Sequence, residues 1–366
     1  MTLPAPVRVL IVDDSATVRA VLRRLFARAD GTEVAGEAAG GEEAVAETLR
    51  LRPDVVLMDI EMPGIDGYAA TERIMALCPT PILVLTSRAA REQVRTAFEA
   101  LRRGALEVIP KPADAAGWEA LALTLPQTVR TVAGARLAGT LPRRRADADA
   151  EPSARVLRPA AARAAAELRW PAPSAPLRWV AVGASTGGPT AVRDLLAPLP
   201  ADAPVSVLVV QHIAAGFEHS FAEWLAAELH LDVRVAVNAE RPGRGQVRIA
   251  PTGIHLLLGT DGLLHFDAVS PPRRGHRPSA DDLFRSCALA FPAATAGVLL
   301  TGMGSDGAEG LAELRRAGGV TVVQDEATSV AFGMPRAALE CGAADAARAP
   351  RAIGEAIARC VAGVHR

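Results

Sequence analysis

Residues 7–14 read VRVLIVDD, an aliphatic run broken only by Arg8 and closed by two aspartates, Asp13 and Asp14. A near-continuous apolar run, rather than an alternating one, is the pattern of a strand buried on both faces of a parallel sheet. Working outward, Ser15 to Ala29 has helical apolar spacing, and strand-like runs recur at Val55 to Met58 and Ile82 to Leu85. Strand and helix alternate, which predicts a parallel α/β domain. Val108 and Ile109 supply a last, edge strand that stops at Pro110-Lys111-Pro112, where proline removes donors and restricts the residue before it.

The chain has 366 residues, which suggests two domains, and half of its residues are hydrophobic, enough for a core in each. The first is expected over 6–125. Residues 126–176, rich in Ala, Arg, Pro and Asp, read as a linker with a short helix at Ala160 to Leu168. Within it Arg143, Arg144 and Arg145 fit either a solvated linker or a contact with an acidic partner. Over 177–366, strands at Val180 to Val182, Val207 to Val210, Val298 to Leu300 and Val320 to Val323, with a helix at Phe217 to Leu229, predict a second, doubly wound α/β domain. Apolar and polar residues alternate from Val247 to Phe266 around Pro251, Gly253 and Asp261-Gly262, which predicts β-hairpins inserted at one edge.

A net charge of −1 creates no field favouring nucleic acid or anionic lipid, and no basic helix-turn-helix pattern follows the first domain. Cys78, Cys287, Cys341 and Cys360 lack ligand spacing, so structural zinc and a disulfide framework are not expected. Met1 leads into a strand without a signal-like segment, and no apolar run reaches membrane-span length. A reducing compartment, the cytoplasm, is expected, without membrane insertion.

Four features of the first domain fall at strand ends: Asp13-Asp14, Asp59, Thr86 and Lys111. Ligands of open parallel sheets bind there. Crowded carboxylates repel unless a hard divalent cation joins them, and Mg²⁺ would connect them to an incoming phosphoryl group. Asp59 then serves as nucleophile and phosphoryl acceptor, Lys111 balances the phosphoryl charge, and Thr86 donates a hydroxyl hydrogen bond. Over nearly all of 6–125, including Met62-Pro63-Gly64 and Gly67, the chain resembles the response-regulator receiver domain. That resemblance implies phosphorylation of Asp59 by a histidine kinase, with Asp13 and Asp14 holding Mg²⁺. Val108 stands where many receivers carry a switch aromatic, so aromatic-rotamer signalling is not expected.

In the second domain, Gly183-Ala184-Ser185-Thr186-Gly187-Gly188-Pro189 follows one strand and opens a helix. Small residues permit a sharp turn at Ser185, and the helix start points N–H groups toward developing negative charge. An anion-binding or purely connecting turn fits the same pattern. His212 and Asp306 also follow strands, so three strand ends converge: His212 can take the Ser185 proton, Asp306 can orient His212, and backbone N–H groups can stabilise the oxyanion. Thr186 caps the turn or hydrogen-bonds beside the nucleophile. Met334 and Phe332 read as core. His276, Arg277 and Arg274 fit either a receptor-facing surface or a solvated loop, and His219, His255 and His265 form no metal-like cluster.

The order Ser, His, Asp is not that of typical α/β-hydrolases. Through Gly183 to Pro189, Gln211-His212, His276-Arg277-Pro278-Ser279, Thr301 to Gly307 and Gln324 to Pro335, the domain instead resembles the chemotaxis receptor protein-glutamate methylesterase (CheB) family. The resemblance implies a triad of Ser185, His212 and Asp306, with Met303 beside it lending backbone to the oxyanion site. It further implies phosphorylation-activated hydrolysis of glutamate methyl esters on methyl-accepting chemotaxis receptors, glutamine deamidation, no cofactor for ester hydrolysis, and association with membrane receptor arrays. A general serine esterase and a non-catalytic, phosphorylation-dependent binding protein are the competing readings.

Overall fold

Two all-parallel sheets organise the chain, and the computed structural model describes residues 5–86, 98–135 and 175–362. In the first, β1 (Val7–Val12), β2 (Thr32–Ala38), β3 (Val55–Asp59), β4 (Ile82–Thr86) and β5 (Glu107–Pro110) lie in the order β2-β1-β3-β4-β5. Val9, Leu10 and Ile11 are wholly buried, as are Val55 to Met58, which is why these strands read as apolar runs. Each such side chain contributes about 1.5–3 kcal/mol by leaving water.

Three helices of the first domain begin where short polar side chains satisfy free N–H groups. The Ser15 hydroxyl accepts from the Val18 N–H at the start of α1 (Ala16–Ala27). Asp66 and Asp114 do the same for α3 (Gly67–Leu77) and α5 (Ala115–Ala133). Between them lie α2 (Gly41–Leu51) and α4 (Glu99–Arg102). α5 runs beyond residue 125 because Leu125, Val129 and Val132 continue one apolar stripe into the core around Val9 and Ile11. The expected helix at Ala160 to Leu168 and the arginine triplet lie outside the described residues.

The second sheet contains β6 (Trp179–Ala184), β7 (Ser206–Gln211), β8 (Asp232–Val235), β9 (Gln246–Ile249), β12 (Thr295–Leu299), β13 (Val320–Gln324) and β14 (Ala346–Arg348). Their order is β14-β13-β12-β6-β7-β9-β8. From β6 the chain winds outward through β7, then returns to build the other side from β12, so a topological switch point lies between β6 and β12. Helices α6 (Gly188–Leu196) and α7 (Glu218–Leu229) follow β6 and β7, and α8 (Ala280–Ala290) precedes β12. After β12 come α9 (Ala308–Arg316), α10 (Gly333–Glu340) and α11 (Pro350–Ala362).

The interval 247–266 holds the expected hairpin insertion, though one hairpin rather than several. A single antiparallel hairpin, β10 (His255–Leu258) with β11 (Leu264–Asp267), forms there, while β9 joins the parallel sheet between β7 and β8. The alternation misleads because its polar member Arg248 is itself buried, paired with Glu240, so β9 is covered on both faces although its sequence alternates.

The domains meet through Phe98, which is 1% exposed, with ring centroids 5.8 Å from both Phe221 and Trp224 of α7. Beside it Arg102 Nε lies 2.9 Å from Glu228 Oε1.

Candidate active site and phosphoryl-acceptor site

At the carboxyl edge of the first sheet, carboxylate oxygens of Asp13, Asp14 and Asp59 lie within 4.8 Å of one another. Lys111 Nζ is 2.7 Å from Asp13 Oδ2 and 2.7 Å from Asp59 Oδ2. Burial pushes the Asp59 carboxyl up, and Lys111 and the Ile60 N–H only partly oppose this. Burial works against the Lys111 charge, but its two carboxylate partners outweigh that and raise its pKa. Thr86, buried, ends β4, and its carbonyl accepts from the Lys111 N–H at 2.7 Å. Asp13, Asp14, Asp59 and Lys111 thus lie together, with Thr86 joined to them through its backbone. Three hard oxygen donors around one partly compensated charge cluster fit Mg²⁺. Val108 is buried in β5, paired with Val84.

In the second domain the register places the ends of β12, β6 and β7 side by side, with Gly183 opposite both Leu299 and Val210. Backbone bonds extend the alignment past the strands: Ser185 N–H donates to the Thr301 carbonyl (3.0 Å) and His212 N–H to that of Ala184 (2.9 Å). Gln211 Nε2 donates to the carbonyls of Ser185 (2.8 Å) and His212 (2.9 Å), fixing both segments. Two glycines are sterically required. Gly187 has φ +74°, and a Cβ on Gly302 would lie 2.8 Å from Ser185 Cβ.

His212 Nε2 is 2.8 Å from Asp306 Oδ2. Burial alone would raise the Asp306 carboxyl, but the bond from His212, aided by Ser279 Oγ (2.6 Å) and the Ala280 N–H (2.7 Å), lowers it to about 2. An ionised carboxylate only accepts, so Nε2 carries the proton and Nδ1 keeps its lone pair. Nδ1 is buried without a hydrogen-bond partner. Ser185, Thr186 and His212 line one cavity of about 370 Å³. Such a constellation has an oriented base, a hydroxyl and a helix N-terminus in one cleft, the parts of acyl transfer.

The opposite wall of that cavity is the receiver: Glu107 to Pro110 of β5 and Leu121, Thr124, Leu125 and Thr128 of α5. Glu107 accepts from the Gly187 N–H at 3.1 Å, two residues beyond Ser185. Burial pushes its carboxyl up to about 7, against the Gly187 and Val108 N–H groups. Met303 does not line the cavity; its sulfur accepts from Thr131 Oγ1 of α5 at 3.2 Å.

Neither Glu107 nor Ser279 was singled out by motif reading. Ser279 lay within the segment 276–279, whereas Glu107 has no local signature. Arg274 and Arg277 are engaged rather than free, Arg274 with Ser305 and with Glu309 of α9, and Arg277 with the carbonyls of Ala268 and Ser270. His276 stacks on His212 with ring centroids 3.8 Å apart. Met334 is wholly buried.

Comparison with known proteins agrees with this division. The family described as CheB methylesterase matches residues 180–357, and the response regulator receiver domain matches residues 9–121. A protein-glutamate methylesterase/protein-glutamine glutaminase of Geobacter metallireducens is 44% identical over 340 residues, 92% of this chain and 94% of the relative. The corresponding protein of Symbiobacterium thermophilum is 39% identical over 356 residues, 97% of each chain. The crystal structure of the Thermotoga maritima CheB methylesterase catalytic domain shares 35% identity, with a TM-score of 0.48, over 51% of this chain and all of that one. Among the described residues no helix is long and apolar enough to cross a membrane. Matched along nearly its whole length, with a receiver before an esterase domain, the chain belongs to the protein-glutamate methylesterase/protein-glutamine glutaminase family, the CheB methylesterases.

Proposed function

We propose that this chain hydrolyses glutamate methyl esters on methyl-accepting chemotaxis receptors, and deamidates receptor glutamines, through an acyl-enzyme on Ser185. The observation that carries the reading is the His212–Asp306 bond in the cavity that Ser185 lines. Asp306 holds His212 with Nδ1 unprotonated, so Nδ1 takes the Ser185 proton as the hydroxyl oxygen attacks the side-chain carbonyl. N–H groups of the turn before α6, with Thr186 at the site wall, face the developing oxyanion. His212 returns the proton to the departing methoxide, giving methanol, or to the departing amide nitrogen, giving ammonia. Water, deprotonated by His212, then cleaves the glutamyl-serine ester and leaves a carboxylate. Each new carboxylate adds negative charge to a receptor helix.

Control comes from the receiver, which walls the cleft. A histidine kinase supplies the phosphoryl group to Asp59, and Asp13, Asp14 and Asp59 would hold Mg²⁺, which supplies charge neutralisation at the phosphoryl oxygens. Lys111 and Thr86 stabilise the modified aspartate. The added charge at the acidic site shifts the receiver from its docked position and opens the cleft. The protein works in the cytoplasm, against receptor arrays.

Methanol release from methylated receptor, compared with hydrolysis of small aryl esters, tests the reading. Release from the receptor, faster with an acyl-phosphate mimic and Mg²⁺ and absent in Ser185→Ala, is expected. Equal rates with and without the mimic would overturn the control scheme, and hydrolysis of aryl esters alone would make the protein a general esterase.

A further inference from the structure

A second imidazole lies against the general base. The ring of His276 is parallel to that of His212, with centroids 3.8 Å apart and planes inclined by 2°. His276 stands at the end of a tight turn: Arg273 and His276 exchange backbone hydrogen bonds of 3.0 and 2.8 Å, and Arg274 and Gly275 between them have φ of 50° and 84°. Two consecutive positive φ values mark a turn that reverses the chain within two residues. From His276 the chain runs directly to Ser279, Ala280 and Asp281, all three of which donate to Asp306. One segment of nine residues, 273–281, thereby fixes the orienting carboxylate and covers the face of the imidazole that it orients.

We propose that His276 is a positioning residue for the general base, holding the His212 ring in its plane and lending the stacked ring's π-face to the imidazolium formed when His212 takes the Ser185 proton. This rests on the acyl-enzyme reading above. The bond to Asp306 fixes one ring atom of His212 but leaves rotation about that bond, and a parallel ring at van der Waals distance removes it. A neutral ring face attracts a cation, whereas a second cation would repel it. His276 is kept in the neutral form: burial lowers its pKa, the nearby His212 lowers it further, and Asp306 only partly offsets them. The other charges beside it are already engaged, Arg273 with Asp282, Arg274 with Glu309 and Arg277 with two carbonyls.

The test compares the full chain, activated with an acyl-phosphate mimic, with its His276→Ala and His276→Phe variants on methylated receptor. His276→Ala is expected to lose roughly 10- to 100-fold in kcat with KM nearly unchanged, the scale of loss when a catalytic group is misplaced. His276→Phe, which restores a stacked ring without ring nitrogens, should recover most of it. Independently of turnover, the His212 ring protons, shielded by the stacked ring, should move downfield in His276→Ala and not in His276→Phe. A His276→Ala enzyme with near wild-type kcat, a Phe variant no better than Ala, or an unmoved His212 resonance would each overturn the inference. A wild-type protein inactive on methylated receptor would instead defeat the esterase reading, and the resonance shift would still decide whether His276 orders the base.

Discussion

Replacing Glu107 by Gln isolates the contact between receiver and serine loop. Docked, the Glu107 carboxyl is raised from 4.5 to about 7 by burial between the domains, despite the N–H groups of Gly187 and Val108. Undocked, it meets water and returns to the ordinary glutamate range. A pKa that is higher in the docked form favours docking as pH falls. The contribution is complete below the undocked pKa and is lost as pH rises through about 7. With these end points the docking constant increases roughly tenfold from about pH 8 to about pH 6, equivalent to about 1.4 kcal/mol. The side chain is half-buried rather than sealed, so tenfold is a ceiling. The assay is methanol release by the unphosphorylated full chain at several pH values, each rate divided by that of the same preparation with an acyl-phosphate mimic and Mg²⁺. The wild-type ratio should climb by up to about tenfold from pH 6 to pH 8. Gln is neutral throughout, and its amide oxygen still accepts from Gly187, so Glu107→Gln should hold the ratio low and flat. A variant that keeps the wild-type slope, or a wild-type ratio that falls with rising pH, would refute the assignment of this latch.

Asp59→Asn should abolish labelling by a small phosphodonor with Mg²⁺ while Ser185→Ala labels normally, because the two sites occupy separate sheets; acid- and base-labile phosphate measures this. Phe98→Ala should raise the basal esterase rate and leave the mimic-activated rate unchanged. Truncating a buried phenylalanine costs about 3–5 kcal/mol, here shared between receiver and interface, and thermal unfolding of the variant reports the first share. Ser185→Ala should cost on the order of 10⁴-fold or more in single-turnover methanol release, and adding His212→Ala should worsen it little, since members of a triad act as a unit.

The strand ends were legible because parallel strands announce themselves: Val55 to Met58 and Val207 to Val210 are apolar on both faces, and whatever follows such a strand lies on the binding edge. Asp59 and His212 were found in this way, and Ser185, Asp306, Lys111 and Thr86 likewise. β9 was misplaced because Val247 and Ile249 alternate with Gln246 and Arg248, a pattern shared by hairpin and sheet. Glu107 escaped notice for a different reason. A glutamate on an edge strand is ordinary until another domain closes over it, and nothing within its own domain records that event. His276 belongs to the same class, since its meaning depends on a ring 64 positions earlier in the chain being parallel to it.

If the receiver controls the cleft as proposed, the edge strand β5 is the segment that joins the two sites. Its first residue, Glu107, accepts from the serine loop, and the residue after its last, Lys111, holds Asp13 and Asp59. Four residue steps of extended chain separate the two, about 13 Å at about 3.3 Å per step. In the proposed scheme, phosphorylation of Asp59 would replace one carboxylate partner of Lys111 with a group of greater negative charge and more acceptor oxygens, and Lys111 would re-form its contacts. Its N–H is tied to the Thr86 carbonyl, so a shift of Lys111 acts on β4 and β5 together rather than being absorbed by a loose loop. An edge strand has a partner on one side only, and β5 is held in the sheet by β4 alone. β2 is the other edge strand, held by β1 alone, but β5 is the edge strand whose far end is latched to Gly187. Placing the latch on β5 rather than on α5 lets the charge change at Asp59 reach the catalytic loop through one short, continuous segment, while the Phe98 contact supplies affinity without responding to the charge.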